Sequence, residues 1–129
     1  MSEAPKPQDY GVLERDRVDD AIAVHAERIR VAGYSVVTDA FSADEVSDFR
    51  TRLDAVLERQ VAEFGGQARI AAIGDSGTAR LPLAYDDVFL RPATHPTLLQ
   101  LCRLLLGQYI VLMQQNGVSN PPEIGRAHV

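Results

Sequence analysis

Apolar residues recur at three- and four-residue steps from about Leu13. Val18, Ile22 and Ile29 share a stripe with His25 through Ala32, which predicts a helix. Gly33 ends it, as a residue free to take positive φ should. Tyr34-Ser35-Val36-Val37-Thr38 is rich in β-branched and aromatic side chains, the composition of a short strand. Ahead of these elements, Met1 to about Tyr10 is polar and proline-punctuated and reads as a loose leader.

The sharpest local signal comes next. Ser42 and Glu45 form an S-x-x-E capping box, with Phe41 and Val46 at the two staple positions around it. Behind them Val46, Phe49, Leu53, Val56, Leu57, Val61 and Phe64 line one stripe up to Gly65-Gly66. This spacing predicts an amphipathic helix packed on a sheet. Gln67 to Thr78 mixes small and apolar residues without a period and is expected to hold a short strand and a turn. Tyr85 to Leu90 is expected to be extended.

His95-Pro96 opens a third helix, since proline suits the first helical position. Leu98, Leu99, Leu101, Cys102, Leu104, Leu105 and Leu106 leave it little polar face, so it should be mostly buried before Gly107 closes it. Tyr109 to Gln115 has the composition of a strand. Alternation places Ile110, Leu112, Gln114 and Asn116 on one face, and Val111, Met113 and Gln115 on the other. The order helix, strand, helix, irregular segment, helix, strand is α+β, with too few strands to close a sheet. An apolar strand without a partner is an exposed edge, so the pattern is that of an unfinished fold. The alternative is a complete, non-catalytic α+β binding module.

Composition narrows the function classes. The 129 residues amount to one domain at most, and 46% apolar with 24% charged is an ordinary globular balance. No apolar run approaches the ~18 residues of a membrane span, and the amino terminus lacks a signal-peptide pattern. The single cysteine, Cys102, excludes an internal disulfide and suits a reducing, cytoplasmic setting. A net charge of −5 with scattered basic residues leaves no footprint for nucleic acid. Neither nucleic acid nor a membrane is expected as a partner.

Local motifs yield no catalytic residue and no metal ligand. His25 and His95 stand far apart, and neither belongs to an H-x-D, H-x-x-x-H or C-x-x-C arrangement. Both are expected to be structural helix residues, and Cys102 an inert core thiol. Gly74-Asp75-Ser76-Gly77 is similar to the nucleophile segment of trypsin-like proteases and, loosely, of GDS lipases. The upstream His–Asp order of those proteases is missing, so a polar turn is expected. There is no G-x-x-x-x-G-K-[ST] and no G-x-G-x-x-G to cradle a phosphate. The amides that close the last strand, Gln114 and Asn116, and Asn120 beyond them, must reach solvent or line a polar cavity. Burying each unpaired would cost about 1–3 kcal/mol.

Glu123-Ile124-Gly125-Arg126-Ala127-His128-Val129 matches the translation of GAG ATC GGA AGA GCA CAC GTC, a common short-read sequencing adapter. These seven residues are expected to be a non-native tail, with the natural chain departing at or just after Pro122. No site should then be built from His128.

Three stretches, taken in order, carry a family likeness. They are Gly33-Tyr34-Ser35-Val36-Val37-Thr38-Asp39-Ala40-Phe41-Ser42-Ala43-Asp44-Glu45-Val46; Leu90-Arg91-Pro92-Ala93-Thr94-His95-Pro96 with its leucine-rich helix and Gly107; and Tyr109 through Gln114-Gln115-Asn116-Gly117-Val118-Ser119-Asn120 to Pro121-Pro122. Over roughly Arg30 to Pro122 the chain resembles the phytanoyl-CoA dioxygenase family, non-haem Fe(II) and 2-oxoglutarate-dependent oxygenases. The resemblance implies amino-terminal helices and the first strands of a double-stranded β-helix, or jelly roll, over residues 11–122. It also implies a parent enzyme that hydroxylates a small organic substrate. Gln114, Asn116 and Asn120 would project toward the cosubstrate or substrate and so count as cofactor-binding residues. In that family an H-x-D pair and a distal histidine hold the iron, and an arginine pairs with the 2-oxoglutarate carboxylate. All of these lie downstream of the N-P-P segment, so this chain alone is expected to bind neither cofactor and to be inactive.

Overall fold

The computed structural model describes residues 21–120. The expected leader, the start of the first helix and the seven-residue tail lie outside the described residues. Five α-helices run in chain order: α1 Ala21–Ala32, α2 Ala43–Glu63, α3 Gln67–Ala72, α4 Leu90–Ala93 and α5 Pro96–Leu106. Two strands, β1 Thr78–Arg80 and β2 Asn116–Val118, form an antiparallel pair, and single 3-10 turns occupy Pro82–Ala84 and Asp87–Phe89. The class is α+β, helices with one small antiparallel sheet.

The chain divides into two compact units, one of residues 21–38 with 96–110 and the other of 39–95 with 111–120. In the first, α1 packs on α5, burying Ala26 and Leu101. Gly33 closes α1 at φ +83°, its N–H donating to the Ile29 carbonyl at 2.9 Å. Tyr34–Thr38 is irregular rather than a strand. The β propensity of a segment is realised only against a neighbouring strand, and this unit offers none among the described residues. Instead Ser35 Oγ and His25 Nδ1 are hydrogen-bonded at 2.7 Å, tying the segment back to α1. Nor is α5 mostly buried. Leu98 and Leu104 are exposed and Leu106 is 74% exposed, while Leu101 faces inward.

The second unit is organised by α2. Its capping box forms as expected: Glu45 N donates to Ser42 Oγ at 3.2 Å, and Ser42 N donates to Glu45 Oε2 at 2.9 Å. Phe41 packs edge-on against Phe49 at 5.1 Å between centroids, while Val46 is exposed. The core gathers Val56, Ala79 and Phe89, with Leu53, Leu57, Leu83, Tyr85 and Val88 around them.

Three expectations in this unit are corrected. Gln67–Ala72 is a helix rather than a short strand, because Gln-Ala-Arg-Ile-Ala-Ala is a run of good helix formers that buries Ile70. Tyr85–Leu90 is not extended. The Asp86 carboxylate accepts from Val88 N at 2.9 Å, caps a 3-10 turn and rolls Phe89 into the core. The paired strand is Asn116–Val118, just past the predicted Tyr109–Gln115. Its register, Thr78↔Val118, Ala79↔Gly117 and Arg80↔Asn116, is bracketed by Ser119 N donating to Gly77 O and Leu81 N to Gln115 O. A Cβ on Gly117 would lie 2.2 Å from Leu53 Cδ1, so glycine is what lets β2 approach α2.

Candidate functional site

The sheet positions the predicted amides. Gln115, half-buried, donates from Nε2 to the Phe89 carbonyl at 2.9 Å while its backbone carbonyl accepts from Leu81 N. Two residues on, Gly117 meets Leu53. These inward positions consign the alternate set to the other face. Gln114, ahead of the strand, and Asn116, its first residue, are exposed, and Asn120, beyond the strand, is exposed as well.

An open groove of about 430 Å³ runs beside β2. Phe49, Leu53, Phe89 and Val118 give it an apolar lining, and Arg50, Asp54 and Ser119 add polar groups.

Four carboxylates are committed to structure. Glu45 is held below the ordinary carboxyl range by the Ser42 backbone N–H and by Arg91, with which it pairs. The Val88 N–H and then Arg52 do the same for Asp86. Arg80 forks onto Asp75 through Nε at 2.8 Å and Nη2 at 2.6 Å, lowering its pKa. Tyr85 donates to Glu63 at 2.8 Å, which lowers the carboxyl and raises the phenol. A catalytic acid needs its pKa pushed toward neutrality, and each of these shifts runs the other way. In Gly74-Asp75-Ser76-Gly77, Asp75 is pinned by Arg80 and its carbonyl accepts from Thr78 N, the polar turn expected.

The histidines are similarly engaged. His95 donates from Nε2 to the Ala40 carbonyl at 3.0 Å and stands edge-on to Phe41 at 5.1 Å. Its buried Nδ1 has no hydrogen-bond partner among the described residues. His25 is bound to Ser35. Among the described residues no group of three or more His, Cys, Asp or Glu could hold a metal ion. The described residues therefore do not fit an iron centre.

Sequence reasoning passed over Gln60, which lies 6% exposed on α2. A signal was present, since Gln60 falls four residues after Val56 on the stripe that faces the core.

The phytanoyl-CoA dioxygenase (PhyH) family model matches residues 29–128. The chain belongs to the phytanoyl-CoA dioxygenase family. It is thus of a dioxygenase-type family, whose members are in general Fe(II)- and 2-oxoglutarate-dependent. The match includes six of the seven residues that resemble adapter sequence, 123–128. Among curated proteins the chain is 31% identical over 106 residues to Uncharacterized protein Mb1539 of Mycobacterium bovis and to Uncharacterized protein Rv1501 of Mycobacterium tuberculosis. Each alignment covers 82% of this chain but 36% of the relative. The chain spans about a third of the length of these curated relatives. No solved structure gives a significant match. No helix among the described residues is long and apolar enough to cross a membrane.

Proposed function

We propose that this chain is the amino-terminal part of a cytoplasmic Fe(II)- and 2-oxoglutarate-dependent dioxygenase that hydroxylates a small organic substrate. The observation that carries the reading is the family match over residues 29–128 on a chain spanning 36% of its relatives. On this reading the iron ligands lie in the remainder of the longer protein. The described part supplies a support layer of helices and the opening strands of a jelly roll. Gln114 and Asn116 are exposed at the start of β2, with Asn120 exposed beyond it. There they can offer amide donors and acceptors to a cosubstrate or substrate held by the rest of the fold.

The test compares two proteins. Sequencing the source locus past the codon for Pro122 should replace Glu123–Val129 with a reading frame that carries an H-x-D pair. The longer protein should bind one Fe(II) and form succinate from 2-oxoglutarate, whereas residues 1–129 alone should do neither. In the longer protein, Gln114→Leu or Asn116→Leu should raise KM about fivefold, the worth of one hydrogen bond near 1 kcal/mol. Stoichiometric iron binding with succinate formation by residues 1–129 would overturn the proposal. So would an independent read that keeps the seven residues followed by a stop codon.

A further inference from the structure

Gln60 is the one buried polar side chain among the described residues, at 6% exposed. A buried amide is costly unless both ends are paired, and both ends here find a partner on the Arg80 backbone. Nε2 donates to the Arg80 carbonyl at 2.6 Å, and Oε1 accepts from the Arg80 N–H at 2.9 Å. One orientation of the amide satisfies both bonds.

The register explains why Arg80 needs this partner. Gly77 and Leu81 of the β1 segment bond across to Ser119 and Gln115. In an antiparallel ladder the residues bonded to one neighbour alternate with residues whose N–H and C=O point the other way. Arg80 is one of the latter, so its backbone groups lie on the outer edge of β1. An adjoining strand would occupy that place, accepting from the N–H and donating to the carbonyl. Gln60 performs both acts with a side chain.

We propose that Gln60 is an edge plug: its amide takes the place of a neighbouring strand at Arg80, closing β1 so that this sheet can extend from β2 alone. The inference is independent of the proposed oxygenase activity, because it rests on the sheet and on α2. It gives the small sheet a direction of growth. It also protects an edge that would otherwise invite pairing with another chain.

Amide exchange resolved to single residues, measured on residues 1–129 at low concentration, tests the plug. In the parent sequence the Arg80 amide should exchange slowly, as the laddered Ala79 amide does. Gln60→Leu keeps the bulk and removes both bonds. It should accelerate Arg80 exchange by at least about tenfold while Ala79 stays within about threefold. Gln60→Glu retains an acceptor for the Arg80 N–H, so that amide should remain slow even if Gln60→Leu loosens the whole unit. Gln60→Leu should also self-associate at lower concentration than the parent sequence. Unchanged Arg80 exchange in Gln60→Leu would overturn the proposal, as would loss of Arg80 protection in Gln60→Glu. Gln60→Leu chains that associate no more readily than the parent would overturn the edge-blocking role.

Discussion

Glu45 serves two partners, and only one of them is written nearby. Its bond to the Ser42 backbone N–H follows from the S-x-x-E spacing and was legible three residues away. Its pairing with Arg91 joins positions 46 apart, which no local pattern announces. Gln60, passed over in the sequence, left a signal as a polar residue on an apolar stripe, but its partner left none, because a stripe says which face is buried and not what covers it. Two outcomes belong at this scale. Ser42→Ala should destabilise α2 by about 1 kcal/mol through loss of the cap, read as a lower midpoint of helical circular dichroism on denaturation. Lowered carboxyl pKa values at Glu45, Asp75 and Asp86 mean stability that is present above the unfolded-state pKa, near 4.5 for glutamate and 3.8 for aspartate. It is lost as pH falls through the depressed folded-state values. Helical signal should therefore decline in acid below about pH 4. Glu45→Gln, which keeps the capping geometry, should make that decline shallower. An acid profile identical to the parent's would show that Glu45 ionisation contributes nothing. Such exposed groups are screened, so the difference should shrink in high salt.

Elements divided according to where their determinants lie. Helix α2 was readable because cap, stripe and terminating glycines all sit within it and agree. Strands were not, because pairing is settled by a distant segment. Tyr109–Gln115 has strand composition, yet the ladder forms at Asn116–Val118, where Gly117 can slide over Leu53 and Gly77 can take φ +72°. The same shift moves Gln115 inward and leaves Gln114 and Asn116 outside. Which face a candidate amide occupies thus depends on a contact between β2 and α2 that sequence cannot show. Gly117→Ala should test that contact. Its Cβ would meet Leu53 Cδ1 at 2.2 Å and Cγ at 3.0 Å, so we expect a loss of about 1–3 kcal/mol from overpacking. Leu53→Ala in the same chain should recover part of it. The double-mutant cycle should then be non-additive in denaturation. Strict additivity would mean that the two residues do not meet.

At the scale of the molecule, the apolar surface left uncovered decides how the chain behaves alone. Val111 and Met113 are each 91% exposed, and Tyr109, just ahead of them, is fully so. Leu112 and Val118 continue the exposed apolar run toward and into β2. At about 25 cal/mol per Å² of apolar surface, a few such side chains left wet forfeit several kcal/mol. A whole domain is stable by only about 5–15 kcal/mol. Such a surface is a site of association, and the apolar strand composition of residues 109–115 makes pairing between chains the expected mode. Residues 1–129 should therefore associate as concentration rises, with helical signal retained. Amide protection should be most persistent in α2, where local signals and core contacts coincide. Val111→Lys with Met113→Lys should raise the concentration at which association begins, since charges on an exposed strand oppose pairing. In the longer protein the same segment should be protected from exchange, because covering that surface is the role proposed for the rest of the jelly roll. Sedimentation of residues 1–129 across a concentration series separates the two readings of the chain. A species that stays monomeric at high concentration, with one sharp thermal transition, would identify a complete domain. The binding-module reading would then replace the dioxygenase fragment.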